Sequence, residues 1–256
     1  AIRTAGANFV EIGNAIETHP WELEAAINEK TAAITFFVQS DMLEASLSLE
    51  KVLEVSHKHD IPVIVDAAAE LPPFKNIHKF IKMGADLVLF SGGKDIRGPQ
   101  SSGLILGKKD LINKCLANAY PHHAVGRPMK LDKETIMGLV KAVEIYLQKD
   151  HQKEKKEREE QRKYIVKKLN NISDINVYSD IPAQPLTQPP LPRVYVDFKD
   201  NSKMNKEKMA EKLLQGNPPI AVYLNRNSMV INPHTLQPGE EKVIVKEFKN
   251  IMKKSN

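Results

Sequence analysis

Two side chains in the first half of the chain sit where an open α/β sheet carries its chemistry. Asp66 closes the apolar run Pro62-Val63-Ile64-Val65 and is followed by Ala67-Ala68-Ala69. Lys94 comes one β-α unit later, just past the run Asp86 to Ser91, in the turn Gly92-Gly93-Lys94. Open α/β sheets bind ligands outside the carboxyl ends of their strands. An aspartate and a lysine in such places match the needs of pyridoxal 5′-phosphate (PLP). A carboxylate beside the pyridine nitrogen keeps it protonated, so that the ring absorbs carbanion charge. A lysine reaches the cofactor aldehyde as an imine and then serves as acid and base at the substrate Cα. Ala68 and its small neighbours leave room for a flat ring. Ser91 offers a hydroxyl to the cofactor phosphate, and the glycines let the lysine backbone turn sharply. Each feature also has a plain reading. An aspartate at a strand end caps helices or shapes turns, and Gly-Gly-Lys turns are common. The pair, taken by spacing alone, leaves both readings open.

The elements that must position this pair follow from apolar runs and breakers. Strands are expected at Ala7 to Ile12, Ala32 to Val38, Pro62 to Asp66, Asp86 to Ser91 and Ser102 to Gly107, with helices at Pro20 to Asn28, Ser48 to His59, Asn76 to Met83 and from Lys109. Continuous rather than alternating apolar strands predict burial on both faces of a largely parallel sheet. The strand-helix-strand rhythm predicts an α/β layered domain. A long helical region is expected from Lys133 to about Asn170. The stretch Ile181 to Pro192, with five prolines, breaks regular structure. Beyond it come a strand at Arg193 to Phe198, a helix at Lys206 to Gln215, a hairpin of Ile220 to Tyr223 with Ser228 to Ile231, and a helix at Glu240 to Met252. The expected organisation is a partial large domain over 1–130, a connecting helical region over 131–170 and a small α+β domain over 171–256.

Bulk properties remove several function classes. The chain of 256 residues carries a net charge of +5. Its densest basic run, Lys149 to Lys168, interleaves Lys153, Lys155, Lys156, Arg158 and Lys163 with Glu154, Glu157, Glu159 and Glu160. That alternation is a solvated helix face, so nucleic acid is not an expected partner. No apolar run approaches the ~20 residues of a membrane span, and Ala1 to Gly6 lacks the pattern of a secretory leader. The single cysteine, Cys115, cannot build a disulfide framework and points to a reducing, cytoplasmic setting. His122 and His123 lack a third metal ligand at suitable spacing, so no metal is expected.

Four segments together carry a family resemblance: Asp66-Ala67-Ala68-Ala69-Glu70, Phe90-Ser91-Gly92-Gly93-Lys94, Arg97-Gly98-Pro99-Gln100 and Gly126-Arg127-Pro128-Met129-Lys130. They resemble the bacterial selenocysteine synthase (L-seryl-tRNA selenium transferase) family, and within it the D-glucosaminate-6-phosphate ammonia-lyase branch. The resemblance implies PLP-dependent transferase fold type I, the aspartate aminotransferase-like fold, with a mostly parallel large domain and a small C-terminal α+β domain. It also implies a homo-oligomer, a dimer or higher, with sites at subunit interfaces. By it Lys94 is the lysine linked to PLP, Asp66 the partner of the pyridine nitrogen and Ser91 a phosphate ligand. Gln100 and Arg97 lie in the loop after the lysine, which in this fold often faces a neighbouring subunit's cofactor. Arg127 suits a phosphate or carboxylate held bidentately, and His234 stands near a position where relatives carry an arginine. Members of the family have a further N-terminal region with a glycine-containing phosphate cup and a ring-stacking residue, which the loop around Gly6 and Gly13 does not supply. The expectation is weak PLP binding and no turnover by the chain as it stands.

Two reactions fit these residues. Lys94 taking the Cα proton of a small anionic 2-amino-3-hydroxy acid would expel water and then ammonia, leaving a 2-oxo acid. The selenium route shares the first half but needs a basic surface for tRNA. The lyase reading, with a small amino acid or amino sugar acid as substrate, is the expected one; the transferase is second and a non-catalytic remnant third.

Overall fold

Short β-branched runs pair into a sheet in the first part of the chain, and amphipathic helices cover it. The computed structural model describes residues 2–14, 16–38, 45–180 and 192–255. Among these, the chain divides after Lys149 into two units, each with its own core. The first holds α1 (Pro20–Ala26), β1 (Ile34–Phe37), α2 (Leu49–Lys58), β2 (Val63–Asp66), α3 (Asn76–Met83), β3 (Leu87–Ser91), β4 (Gly103–Gly107), α4 (Lys109–Asn118) and α5 (Lys133–Gln148). Strands lie in the order β1-β2-β3-β4. The first three are parallel, in register Phe37 to Asp66 and Asp66 to Leu89. Strand β4 runs antiparallel on β3, pairing Ser91 with Gly103. The sheet is therefore mixed, because the β3–β4 connection contains no crossover helix of the kind a parallel return requires.

Local chemistry sets the helix starts. Ser48 Oγ accepts from the Lys51 amide at 3.3 Å and begins α2. Pro20 opens α1 behind His19, whose amide donates to Glu22 Oε2 at 2.7 Å. Asp86, 2% exposed, ties the end of the sheet away from Lys94. It accepts from the Val63 amide at 2.7 Å and the Lys108 ammonium at 2.6 Å, and lies 3.0 Å from His57 Nε2. Burial pushes its carboxyl up, but these hydrogen bonds outweigh burial and hold it below the ordinary aspartate value.

The second unit holds α6 (His151–Leu169), β5 (Ile175–Asp180), β6 (Arg193–Phe198), α7 (Lys206–Leu214), β7 (Tyr223–Leu224), β8 (Met229–Ile231) and α8 (Glu240–Ser255). Its strands form an antiparallel sheet in the order β5-β6-β8-β7. Val177, Val194, Val196, Met229 and Ile231 meet Ile165, Leu169, Met209 and Phe248 in its core. Salt bridges run along α6, with Arg158 to Glu154 at 2.7 Å, Arg162 to Glu159 at 2.8 Å and Lys163 to Glu159 at 3.1 Å. The helix is a mixed-charge face, as its sequence predicts.

Several expectations need correction. Ala7 to Ile12 forms no strand; the run has no partner ladder among the described residues, and an unpaired strand is not stable alone. The helical region over 131–170 is two helices rather than one. Lys149, in extended conformation, ends the first, and Asp150 caps the second by accepting from the Gln152 and Lys153 amides, so α5 belongs to one unit and α6 to the other. The hairpin is shorter than expected, because the Ile220 amide donates to Leu213 O at the end of α7 instead of joining the ladder. The proline-rich stretch falls, through residue 191, outside the described residues. Among the described residues, no helix is long and apolar enough to cross a membrane.

Candidate functional site

Asp66 and Lys94 emerge at the carboxyl end of the parallel strands, as their sequence positions require. Asp66 is the last residue of β2, and its backbone pairs with Leu89 of β3. Its Oδ1 accepts from the Ala68 amide at 3.1 Å, so the turn-forming role of the aspartate is real. Its second carboxylate oxygen has no hydrogen-bond partner among the described residues. Ala68, half-buried, follows in that turn. Ser91 ends β3, and the chain then turns through residues 92–97.

That turn is built to present one side chain. Lys94 is exposed while its two successors, Asp95 and Ile96, are buried. Tyr146 of α5 donates its hydroxyl to Asp95 Oδ2 at 2.9 Å, and Ile96 joins the first core. The Arg97 amide donates to Lys94 O at 2.9 Å, and the Gly98 amide to Gly92 O at 2.7 Å. A Cβ on Gly93 would lie 2.6 Å from Gln100 Cα and 2.7 Å from Gln100 Oε1. Glycine is therefore required there by close approach, and Gln100 is held against the lysine turn. Arg97 shares the turn, exposed and with φ of 59°, a left-handed conformation costly for a residue with a Cβ.

The other candidates group differently. The Arg127 guanidinium lies 4.8 Å from the Tyr120 ring centroid, and Lys130 Nζ lies at the same distance from that ring. Arg127 Nε is buried without a hydrogen-bond partner among the described residues. His234 belongs to the second unit, in a short turn where Asn232 Oδ1 accepts its amide.

Two residues here were not singled out by sequence reasoning. Lys130 joins Arg127 on Tyr120, and its signal was the three-residue spacing of two cations after an aromatic residue. Glu70 is 1% exposed, and its Oε1 has no hydrogen-bond partner among the described residues. Burial pushes its carboxyl up to about 8, against the opposing pull of Lys79 and Lys94. An acid set between an alanine run and Leu71-Pro72-Pro73 was the available signal for burial.

A mixed α/β unit that offers an aspartate and an exposed lysine at the ends of neighbouring parallel strands belongs to the class of α/β proteins with a strand-end ligand site. The family model described as L-seryl-tRNA selenium transferase matches residues 1–237, and the chain belongs to that family, as the motifs around Asp66, Lys94 and Arg127 predict. It is 32% identical to D-glucosaminate-6-phosphate ammonia lyase of Salmonella typhimurium, over 98% of this chain and 65% of that protein. It is 27% identical to L-seryl-tRNA(Sec) selenium transferase of Clostridium botulinum, over 96% of this chain and 58% of that protein. A solved structure of D-glucosaminate-6-phosphate ammonia-lyase superposes with a TM-score of 0.76 at 27% identity, covering 98% of this chain and 65% of that one. The chain thus spans less than two thirds of the length of these relatives.

Proposed function

We propose that this chain is part of a PLP-dependent lyase of fold type I that removes water and ammonia from a small anionic 2-amino-3-hydroxy acid. The observation that carries the reading is the presentation of Lys94, exposed between a glycine pair and the buried Asp95–Ile96 anchor, beside the strand that ends in Asp66. The residues present fit the cofactor. Asp66 keeps an uncommitted carboxylate oxygen for a protonated ring nitrogen, and Gly93 leaves no side chain between Gln100 and the turn. Ser91 would take the phosphate and Ala68 would leave space for the ring. PLP, when bound, supplies an electron-withdrawing ring that spreads the negative charge developing at the substrate Cα.

The chain's own groups do the rest. Lys94 Nζ removes the Cα proton and hands it to the β-hydroxyl, which departs as water when its bond to Cβ breaks. Hydrolytic loss of ammonia then leaves the 2-oxo acid. Arg127 and Lys130, gathered on Tyr120, form a compact cationic pair suited to a phosphate or carboxylate. Gln100 is assigned to the cofactor side and Arg97 and His234 to the substrate side, with sites completed in a cytoplasmic homo-oligomer. The relative named as an ammonia lyase supports this choice.

The family model favours a second reading, transfer of selenium to a tRNA-bound aminoacyl group. The paired charges along α6 offer no basic docking stripe and weigh against it. The test is ammonia release by the PLP-supplemented full-length protein from a panel of phosphorylated and unphosphorylated 2-amino-3-hydroxy acids. Release from a phosphorylated member is the expected result. Silence throughout, with turnover of seryl-tRNA and a selenium donor, would reverse the assignment.

A further inference from the structure

We infer that Tyr120 sets the selectivity of the Arg127–Lys130 pair for a doubly charged phosphate group, a positioning role that rests on the reading of that pair as the substrate's anion site. The loop that carries the ring is closed by its own backbone. Ala119 and Gly126 form an isolated parallel bridge, the Gly126 amide donates to Asn118 O at 2.8 Å, and the Arg127 amide donates to Ala124 O at 2.9 Å. A Cβ on Gly126 would lie 2.5 Å from Asn118 O, so only glycine lets the two ends of the loop meet. That closure sets Tyr120 beside the short 3-10 turn Arg127–Met129, which Lys130 ends. Residues three apart eclipse one another along such a turn. Arg127 and Lys130 thereby reach one ring, the guanidinium carbon and the ammonium each 4.8 Å from its centroid.

Two like charges do not gather without something to answer them. Among the described residues no carboxylate pairs with either cation. The nearest acids in sequence are engaged elsewhere. Asp132 accepts from the Thr135 amide at 2.7 Å and from its hydroxyl at 2.9 Å, and Glu134 lies 3.9 Å from Lys133 Nζ. The π face of Tyr120 attracts each cation and offsets part of their repulsion, but it neutralises no charge. The Arg127 Nε donor is closed to water and has no acceptor among the described residues, a second cost left standing. A pair of unneutralised cations is matched by an anion that carries two negative charges. A phosphate monoester is such a group near neutral pH, because its second proton leaves at about pH 6. A carboxylate or a phosphodiester brings a single charge and leaves one cation unanswered. The pair therefore discriminates by charge, and Tyr120 is the residue that keeps the two cations together. Its ring is 45% exposed, so replacing it opens no cavity in the core.

Titration calorimetry of the full-length protein near pH 8 with methyl phosphate, dimethyl phosphate and acetate reads this selectivity without turnover. Methyl phosphate should bind about tenfold tighter than either monoanion, the scale of one further charge-assisted contact. In Tyr120→Leu its affinity should fall about tenfold and the preference over dimethyl phosphate should narrow toward parity. Tyr120→Phe keeps the π face and should stay within about twofold of the parent. Tyr120→Gln takes the place of the leucine variant if that one does not fold. Because Ser91 is assigned the cofactor phosphate, methyl phosphate should still bind after the protein is loaded with PLP and freed of the excess. Equal affinity for monoanion and dianion, or an unchanged preference in Tyr120→Leu, would overturn the inference. So would loss of the site on PLP loading, which would give the ring and its cations to the cofactor. Failure of the lyase reading looks different: no ammonia would be released from any substrate, while the preference for methyl phosphate and its dependence on Tyr120 would stand.

Discussion

At the residue scale, the reactivity assigned to Lys94 depends on how firmly its neighbours are fixed. Tyr146→Phe deletes the hydroxyl that donates to the buried Asp95. The loss should cost about 1–3 kcal/mol of stability and weaken PLP retention, checked by thermal unfolding and cofactor titration. Gly93→Ala places a methyl 2.6 Å from the Gln100 backbone. The turn must shift, and activity should drop by up to about a hundredfold, as for other misplacements near an ångström. Glu70 makes a pH prediction with a definite sign. Its carboxyl titrates at 4.5 when unperturbed and near 8 when folded, so the stability it contributes is present below 4.5 and is lost as pH rises through about 8. Stability measured by denaturant at several pH values should decline over that range in the parent and decline less in Glu70→Gln. The placement of Asp66 and Lys94 at the carboxyl ends of neighbouring strands was legible because each closes or follows its own apolar run. Glu70 and Lys130 left only weak signals, an acid set between apolar and proline runs and a cation three residues after Arg127, and their burial and convergence on Tyr120 are made by folding.

At the element scale, the fold reads well from sequence where a run carries its own punctuation. Helix α3 spans the expected residues, from Asn76 to Met83, and the left-handed Gly84 ends it. Runs whose fate depends on a distant partner read poorly, and Ala7 to Ile12 is the case in point. The α5–α6 break was visible in Asp150, a good N-cap inside an otherwise helical pattern. Asp86 joins the elements at the opposite end of the sheet from Lys94. Its folded value is depressed, so its contribution is present above the unfolded value of 3.8 and is lost as pH falls through the folded one. Asp86→Asn should lose about 2–4 kcal/mol near neutral pH and flatten the acid limb of the stability curve. A parent-like acid limb in the variant would show that the Lys108 and His57 contacts contribute nothing.

At the scale of the whole molecule, two cores mean two sets of consequences. Phe248 is fully buried in the second unit. Phe248→Ala should cost that unit about 3–5 kcal/mol, seen as faster hydrogen exchange at the amides of β6 and β8. His234 was expected in the small C-terminal domain and lies in the second unit, within the short turn that Asn232 caps. Substrate identity was out of reach, since the chain spans 65% and 58% of the two relatives compared. The family itself was readable, because four short motifs between Asp66 and Lys130 carry it. Lys94 is assigned as the lysine that holds the cofactor, and borohydride reduction of the PLP-supplemented protein, followed by mass mapping of its peptides, tests that assignment. A reduced PLP adduct on Lys94, absent in Lys94→Ala, is the predicted result. An adduct on another lysine, or none while Lys94 is intact, would remove Lys94 from that role.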